Sequence, residues 1–378
     1  VSELPKGWTT VALGDIVELR YGKSLPKKLR TPGGVPVYGS AGAVDHHEEA
    51  FTSGPALVVG RKGSIGQIHA PDRPFWPIDT TYFTKHDDSR VNLRWLYHRL
   101  RSVGLESMNK SAAVPGLNRE DVYRITTLLP PLAEQRRIAA ILDRAADVAG
   151  KALSVVDLLD ATEASLYRSM FQQIEAGWTT KTVQDVALPE KNSMRTGPFG
   201  SQLLKEELTD SGIPVIGIDN VVRNEFGWGE RRFITQEKYE QLSRYTVHPG
   251  DVLITIMGTN GRVAVVPDDI PTAINTKHLC CITLDQSQCL PEFLRSTFLW
   301  NPAAQRYLRS KTKGAIMGGL NMGIIKGMPM PVPPLSIQKE YVERLVELRT
   351  ARSTARSRFS TLNDLRESLQ SRAFRGEL

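Results

Sequence analysis

The sequence predicts an α+β chain: two globular α/β units separated by two long helices packed as an antiparallel coiled coil, the whole related by an internal pseudo-two-fold repeat. Three observations predict it. A stretch of over forty residues occurs twice without a gap, both copies carry a stripe at 3.5-residue spacing that is charged at one position in the first and two in the second, and the start of each globular unit is repeated as well.

The helical copies come first. Leu129-Pro130-Pro131-Leu132-Ala133-Glu134-Gln135 reappears 203 positions later as Val332-Pro333-Pro334-Leu335-Ser336-Ile337-Gln338. Alternating steps of four and three from Ile138 reach Leu142, Ala145, Ala149, Ala152, Val156, Leu159, Glu163, Leu166 and Met170. The second copy gives Tyr341, Leu345, Leu348, Arg352, Ala355, Phe359, Leu362, Arg366, Leu369 and Ala373. A 3.5-residue spacing held this long makes an apolar seam and asks for a partner helix. A partner protein could supply it, but the matching phase of the two stripes favours each as the other's partner. About forty residues span roughly 60 Å of helix, and the Pro-Pro pair is expected to fix each entry in the first turn. Antiparallel pairing about the repeat's pseudo-two-fold joins positions whose numbers add to about 515. Glu163 is then expected to face Arg352, and Arg366 to face Ala149.

The globular units carry their own repeats. Gly7-Trp8-Thr9-Thr10 with Asp15 returns as Gly177-Trp178-Thr179-Thr180 with Asp185, and Gly116-Leu117-Asn118 returns as Gly319-Leu320-Asn321. Pro36-Val37-Tyr38-Gly39 is echoed by Pro214-Val215-Ile216-Gly217, and Val59 to Gly66 matches Thr255 to Arg262 loosely, residue for residue. The boundaries read from these repeats are 1–131, a globular unit; 132–175, a long helix; 176–332, a second unit; and 333–378, a second long helix. The offset grows from 170 to 203, so the second unit is longer by 33 residues in its middle. Equivalent ends around divergent middles suit two units that touch different things. Within them Ala56 to Val59, Val252 to Ile256 and Val263 to Val266 read as strands, and Leu93 to Leu100 and Pro291 to Trp300 as short helices.

Composition excludes more than it assigns. Apolar residues are 40% and charged ones 24%, with no run of 18 apolar residues to span a membrane. The N-terminus lacks a signal-peptide pattern, so a cytoplasmic location is expected. The net charge of +7 suits a polyanionic partner without requiring one. Cys280, Cys281 and Cys289 have the wrong spacing, even with His278, for a structural zinc site and read as buried thiols. Gly22-Lys23-Ser24 ends like a P-loop, but Val17 stands where the first glycine belongs. His46 and His47, beside Asp45 and Glu48, read as a solvated loop. With no catalytic or cofactor motif, no catalytic residue and no metal site is expected, and binding is favoured over catalysis.

The polar loops suit DNA. Lys23, Lys27, Lys28 and Arg30 share one loop of the first unit, and Arg61, Lys62 and Ser64 a second. In the second unit Lys191, Arg195 and Ser201 lie among glycines that let backbone approach a phosphate. Asn220, Arg223, Arg231, Arg232, Thr259, Asn260 and Arg262 add side chains able to read base edges, Arg to guanine and Asn to adenine. The helix-pairing candidates are Ile138, Leu142, Val156, Leu159, Leu166, Leu345, Leu348, Phe359, Leu362 and Leu369.

The twin Pro-Pro-Leu-x-x-Gln helix starts, the twin Gly-Trp-Thr-Thr starts, the Gly-Leu-Asn before each helix, and Gly197-Pro198-Phe199-Gly200-Ser201 together resemble the specificity subunit of Type I restriction-modification systems, over essentially the whole chain. The resemblance implies two target recognition domains, each reading one half of a split site in double-stranded DNA, with paired helices that set the spacer and dock methyltransferase subunits. It implies a non-catalytic subunit. The chemistry then belongs to an adenine methyltransferase partner using S-adenosylmethionine and to a restriction/translocase partner using ATP and Mg²⁺; none of these cofactors is expected on this chain. The related specificity component of a fused restriction-methylation enzyme (Type IIB/IIG-like) would share the architecture. A nuclease acting alone and a helical scaffold with no nucleic-acid role are rivals of other classes.

Overall fold

The computed structural model describes residues 4–109, 116–171, 178–258, 261–312 and 319–378. The chain forms two compact units, Val1–Val155 with Ala355–Leu378, and Val156–Thr354. Each unit thus takes half of each long helix, whereas the repeats alone set the helices apart as segments of their own.

The strands of the first unit are β1 (Thr9–Ala12), β2 (Glu18–Tyr21), β3 (Val35–Gly39), β4 (Gly42–His47), β5 (Val58–Gly60), β6 (Ile68–His69), β7 (Trp76–Pro77), β8 (Thr81–Lys85) and β9 (Thr126–Leu129). Helices α1 (Leu93–Ser102) and α2 (Arg119–Tyr123) precede the first long helix, α3 (Leu132–Phe171). The sheets run β2-β8-β5-β6, β4-β3-β7 and β1-β9, antiparallel except that β3 and β7 are parallel. Leu19, Leu57, Val59, Trp95 and Leu96 form the core with Ile138, Leu142 and Ala373 of the long helices.

The second unit repeats this plan. It has β10 (Thr179–Thr182), α4 (Val183–Val186), β11 (Met194–Thr196), β12 (Ile213–Ile216), β13 (Phe233–Ile234), α5 (Gln236–Leu242), β14 (Thr246–Val247), β15 (Val252–Thr255), β16 (Val263–Val265), β17 (Ala273–Asn275) and β18 (Leu279–Ile282). Helices α6 (Pro291–Trp300), α7 (Pro302–Thr312) and α8 (Met322–Lys326), strand β19 (Pro329–Val332) and the second long helix, α9 (Leu335–Ala373), complete it. The sheets are β11-β18-β15-β16, β13-β12-β17-β14 and β10-β19, with β12 parallel to β17 as β3 is to β7. Its aromatic core places Tyr167 and Phe171 against Phe293 and Tyr341.

The repeated residues hold backbone. Asp15 accepts from the Ala12 N–H at 3.0 Å and Asp185 from the Thr182 N–H at 2.8 Å, closing the turn after β1 and after β10. Asn118 and Asn321 cap α2 and α8 through the N–H groups of Glu120 and Ile324, while Leu117 and Leu320 are buried. Gln135 and Gln338 are fully buried and make matching bonds. Gln135 accepts from the Asn92 N–H (2.7 Å) and donates to the Arg90 and Pro130 carbonyls; Gln338 accepts from the Leu290 N–H (2.9 Å) and donates to the Gln288 and Pro333 carbonyls. The glutamine therefore ties the start of each long helix to the ten-residue helix before it. Both long helices begin one residue after the Pro-Pro pair, so Pro131 and Pro334 lie just before the first turn rather than in it. There their carbonyls accept the first helical bonds.

All twenty positions of the two stripes are buried or half-buried, among them each helix-pairing candidate. In the second unit Glu163 meets Arg352 at 3.4 Å, as an antiparallel register requires. In the first, Ala149 is buried, and Arg366 turns to Asn363 and Glu367 on its own helix.

Candidate nucleic-acid interface

The hairpin β5-β6 of the first unit and β15-β16 of the second present equivalent loops. The Gly60 N–H donates to Gln67 and the Gly66 N–H to Gly60; the Thr255 N–H donates to Arg262 and the Gly261 N–H to Thr255. These bonds superpose Gly60 on Thr255 and Gly66 on Gly261, one residue away from the match read in sequence. The glycines agree with this register: Gly63 and Gly258 (φ 76° and 71°) and Gly66 and Gly261 (75° and 80°) all take positive φ.

In the first unit this loop gathers several of the expected residues. Arg61 donates to the Asp79 carbonyl at 2.7 Å and lies 5.2 Å from the ring of Tyr21, which is half exposed; Arg119 lies 5.3 Å from the same ring. The Leu117 N–H bonds to the Arg61 carbonyl, joining the loop to the Gly-Leu-Asn turn. Behind them burial and the neighbouring Tyr21 push the Tyr82 phenol up to about 12. Tyr21 and Arg119 carried no separate signal in the sequence; they sit directly before Gly22-Lys23 and directly after Gly116-Leu117-Asn118. Lys62 is exposed and Ser64 half-buried in the same loop. Lys23 is exposed, with its ammonium 5.7 Å from the Trp76 ring. Lys27 and Lys28 are exposed on a short 3-10 turn, and Arg30 is taken up by Asp45 at 2.9 Å.

In the second unit Lys191, Ser201, Arg223 and Arg262 are exposed. Arg231 stacks 5.2 Å from the Trp228 ring, and Arg232 pairs with Asp219 at 3.2 Å. Thr259 and Asn260 lie outside the described residues, as do Gly177 and the 175/176 boundary.

Two of the expected DNA contacts are corrected. Arg195 is buried and bonded to Asp251 (2.6 Å), Thr283 and backbone carbonyls, because its strand, β11, turns the side chain into the unit. Asn220 is buried, accepting from the Gly217 N–H and donating to the Gly227 carbonyl, so it holds a turn closed. Neither offers a polar edge to DNA. The glycines serve packing as well: a Cβ on Gly197 would fall 2.0 Å from the Asn275 carbonyl oxygen, and one on Gly22 2.1 Å from that of Ile78. His46 and His47 belong to strand β4, not a loop, and His47 is buried against Trp76 with its ring Nδ1 3.0 Å from the Thr31 hydroxyl. Cys280 and Cys281 are buried in β18 and Cys289 beyond it; burial pushes the Cys280 and Cys289 thiols up to about 12. Among the described residues no group of His, Cys, Asp or Glu is arranged to hold a metal, and no helix is long and apolar enough to cross a membrane.

Known proteins place this arrangement. The family model of the Type I restriction modification DNA specificity domain matches residues 5–149 and 175–355. The Type I restriction enzyme EcoBI specificity subunit of Escherichia coli is 24% identical over 85% of this chain and 73% of its own length. The EcoDI specificity subunit, also of Escherichia coli, is 22% identical over 100% and 90%. The fold is similar to the crystal structure of a Type I restriction-modification system S subunit from M. genitalium, with a TM-score of 0.63 and 16% identity over 99% of this chain and 98% of that one. Two matched stretches, one in each half of a duplicated chain, beside relatives that are themselves specificity subunits, lead to one conclusion: the chain belongs to the Type I restriction-modification specificity subunits.

Proposed function

We propose that each unit reads one half of a bipartite DNA target and that the paired long helices set the gap between the halves and dock methyltransferase subunits. The observation that carries this reading is the equivalence of the two hairpin loops. They hold the same place in two frames of matching hydrogen bonds, yet one offers Arg61-Lys62-Gly63-Ser64 and the other Met257-Gly258 and Arg262. Equal placement with unequal side chains suits two readers of different sequences.

The spacer role rests on the length of α3 and α9, 40 and 39 residues. Apolar side chains left exposed off the stripe, Leu153, Val155 and Leu158 on α3 and Val346 and Leu365 on α9, suit contact with another subunit. The chain itself is non-catalytic in this reading: S-adenosylmethionine serves the methyltransferase subunits, ATP and Mg²⁺ the restriction subunits, and double-stranded DNA is the shared ligand.

Methylation-site sequencing of DNA from cells carrying this chain with its modification partner tests the reading. Exchanging residues 61–65 should alter one half of the methylated site and leave the other. Inserting four residues in each long helix lengthens it by about 6 Å and should widen the gap by one or two base pairs, at ~3.4 Å per pair. Altered reading of both halves in the first test, or an unchanged gap in the second, would overturn it.

A further inference from the structure

The first unit has a cleft of about 540 Å³ at the C-terminal end of α1, against the last turns of α9. Four arginines line it, Arg99, Arg101, Arg366 and Arg375. Its carboxylates are Glu367, which is exposed and 3.7 Å from Arg366, and the adjacent Glu377, which holds Arg375. Arg99 and Arg101 make no ion pair among the described residues. Arg101 donates to the Tyr97 hydroxyl, and Arg99 to the Ser102 hydroxyl and the Thr126 carbonyl. The Nε of Arg99 is buried with no hydrogen-bond partner among the described residues, and burial lowers the pKa of this guanidinium. Packing alone does not call for an arginine there: a buried donor left unpaired costs stability.

The second unit shows what the same place looks like when it is only core. Helices α1 and α6 are both ten residues long and begin at the N–H bonded by Gln135 or Gln338, so Arg99 matches Thr297 and Ser102 matches Trp300. The helical offset of 203 matches Gln370 with Tyr167 and Phe374 with Phe171. Tyr167 is fully buried there, bonded to the Thr297 hydroxyl at 3.0 Å, with its ring 6.1 Å from that of Trp300. In the first unit the phenylalanine is kept, under Arg99 at 5.2 Å. The tyrosine, threonine and tryptophan are replaced by Gln370, Arg99 and Ser102, and the space is open and basic.

We propose that this cleft is an anion site that takes a phosphate group, either the phosphodiester backbone of nucleic acid or a free phosphate compound. Four guanidiniums around one concavity suit an anion with several acceptor oxygens and up to two charges better than a single carboxylate, because the planar guanidinium fork bonds phosphate in a bidentate way. Among the described residues the site shares no side chain with the hairpin loops, and it stands whether or not those loops read DNA.

The test uses the full chain with Arg99→Gln and Arg101→Gln, probed by thermal unfolding with inorganic pyrophosphate and by anisotropy with a short duplex of random sequence. A free phosphate ligand predicts that pyrophosphate raises the wild-type Tm and that half-saturation weakens about tenfold or more in each variant. A nucleic-acid backbone predicts no pyrophosphate shift, a duplex affinity lowered in both variants, and a salt dependence shallower by about one unit. Arg101 is bonded only at the surface, so Arg101→Gln gives the answer if Arg99→Gln fails to fold. Binding of both probes that is indifferent to Arg101, or a Tm raised by a polyglutamate peptide and by neither phosphate probe, overturns the proposal.

Discussion

Glu163 of α3 and Arg352 of α9 face each other at 3.4 Å in the seam between the long helices of the second unit. They are not alone. Arg295 reaches Glu163 at 2.6 Å and Arg349 at 3.2 Å, Arg349 also holds Glu292 at 2.6 Å, and Arg352 pairs with Glu225. The Glu163 carboxylate is thus shared by three arginines, and removing it leaves Arg295, the most deeply buried of them, with Glu292 at 3.8 Å as its one carboxylate among the described residues. Glu163→Ala is expected to destabilise the chain by about 3 to 5 kcal/mol, read from urea unfolding. A loss under ~1 kcal/mol would mean that the arginines find solvent instead.

The same carboxylate gives the chain a pH dependence. Burial alone would raise its pKa, but the neighbouring Arg295 and Arg349 outweigh burial and hold it below the ordinary 4.5. As pH falls, the unfolded chain takes up this proton first. The contribution to stability is therefore complete above about pH 4.5 and is lost as pH drops through the lower folded value. Glu163→Gln should give a less stable protein with a flatter Tm profile in that window. Parallel acid limbs for wild type and variant would assign the acid sensitivity to other groups.

Gln135 and Gln338 should be worth about the same, since their partners match one for one. Replacing either with alanine leaves a buried N–H and two carbonyls unpaired, a loss of about 1 to 3 kcal/mol for each group left bare. Hydrogen exchange reads this locally: Gln135→Ala should speed exchange at the Asn92 amide and Gln338→Ala at the Leu290 amide. Exchange that stays slow at both would show the helix starts to be held by packing alone.

The joints between short and long helices carry opposite charge order. Arg94 of α1 bonds Asp143 of α3 through Nε at 3.1 Å, while at the matching position of α6 Glu292 bonds Arg349 of α9. Arg94→Glu and Glu292→Arg should each destabilise. The double variant Arg94→Glu with Asp143→Arg should recover part of the loss, and Glu292→Arg with Arg349→Glu should recover less, because it sets the new carboxylate beside Glu163 and the new arginine beside Arg295. A double-mutant cycle with no coupling in either joint would remove the claim.

On DNA, Lys62→Ala should weaken binding uniformly across sequences and make the salt dependence shallower by about one unit, as for a phosphate contact. Arg61→Ala and Tyr21→Ala should instead change preference at particular base pairs, because those side chains are ordered against each other. Competition assays with a panel of duplexes separate the two outcomes.

Much of the scaffold was legible because it is written twice. A period of 3.5 residues marked the seam, and the sum of 515 gave the register of Glu163 and Arg352 before any coordinate. The reading surface was less legible, since a charged residue in a Gly-rich loop looks alike in sequence whether it points out, as Lys62 does, or in, as Arg195 does. What separates them is Asp251, 56 residues away on the chain, whose carboxylate supplies a reason for Arg195 to turn inward. Asn220 was misplaced for the same reason, its partner Gly227 lying across a turn that no pattern announces.

The buried glutamines have a wider consequence. Asp15 and Asp185, Asn118 and Asn321, and Gln135 and Gln338, six of the residues that the two halves share, spend their side chains on their own main chain rather than on a ligand. Those six are separate from the loop side chains proposed to choose a target, so on that proposal either unit can change what it reads without loosening the frame that carries it.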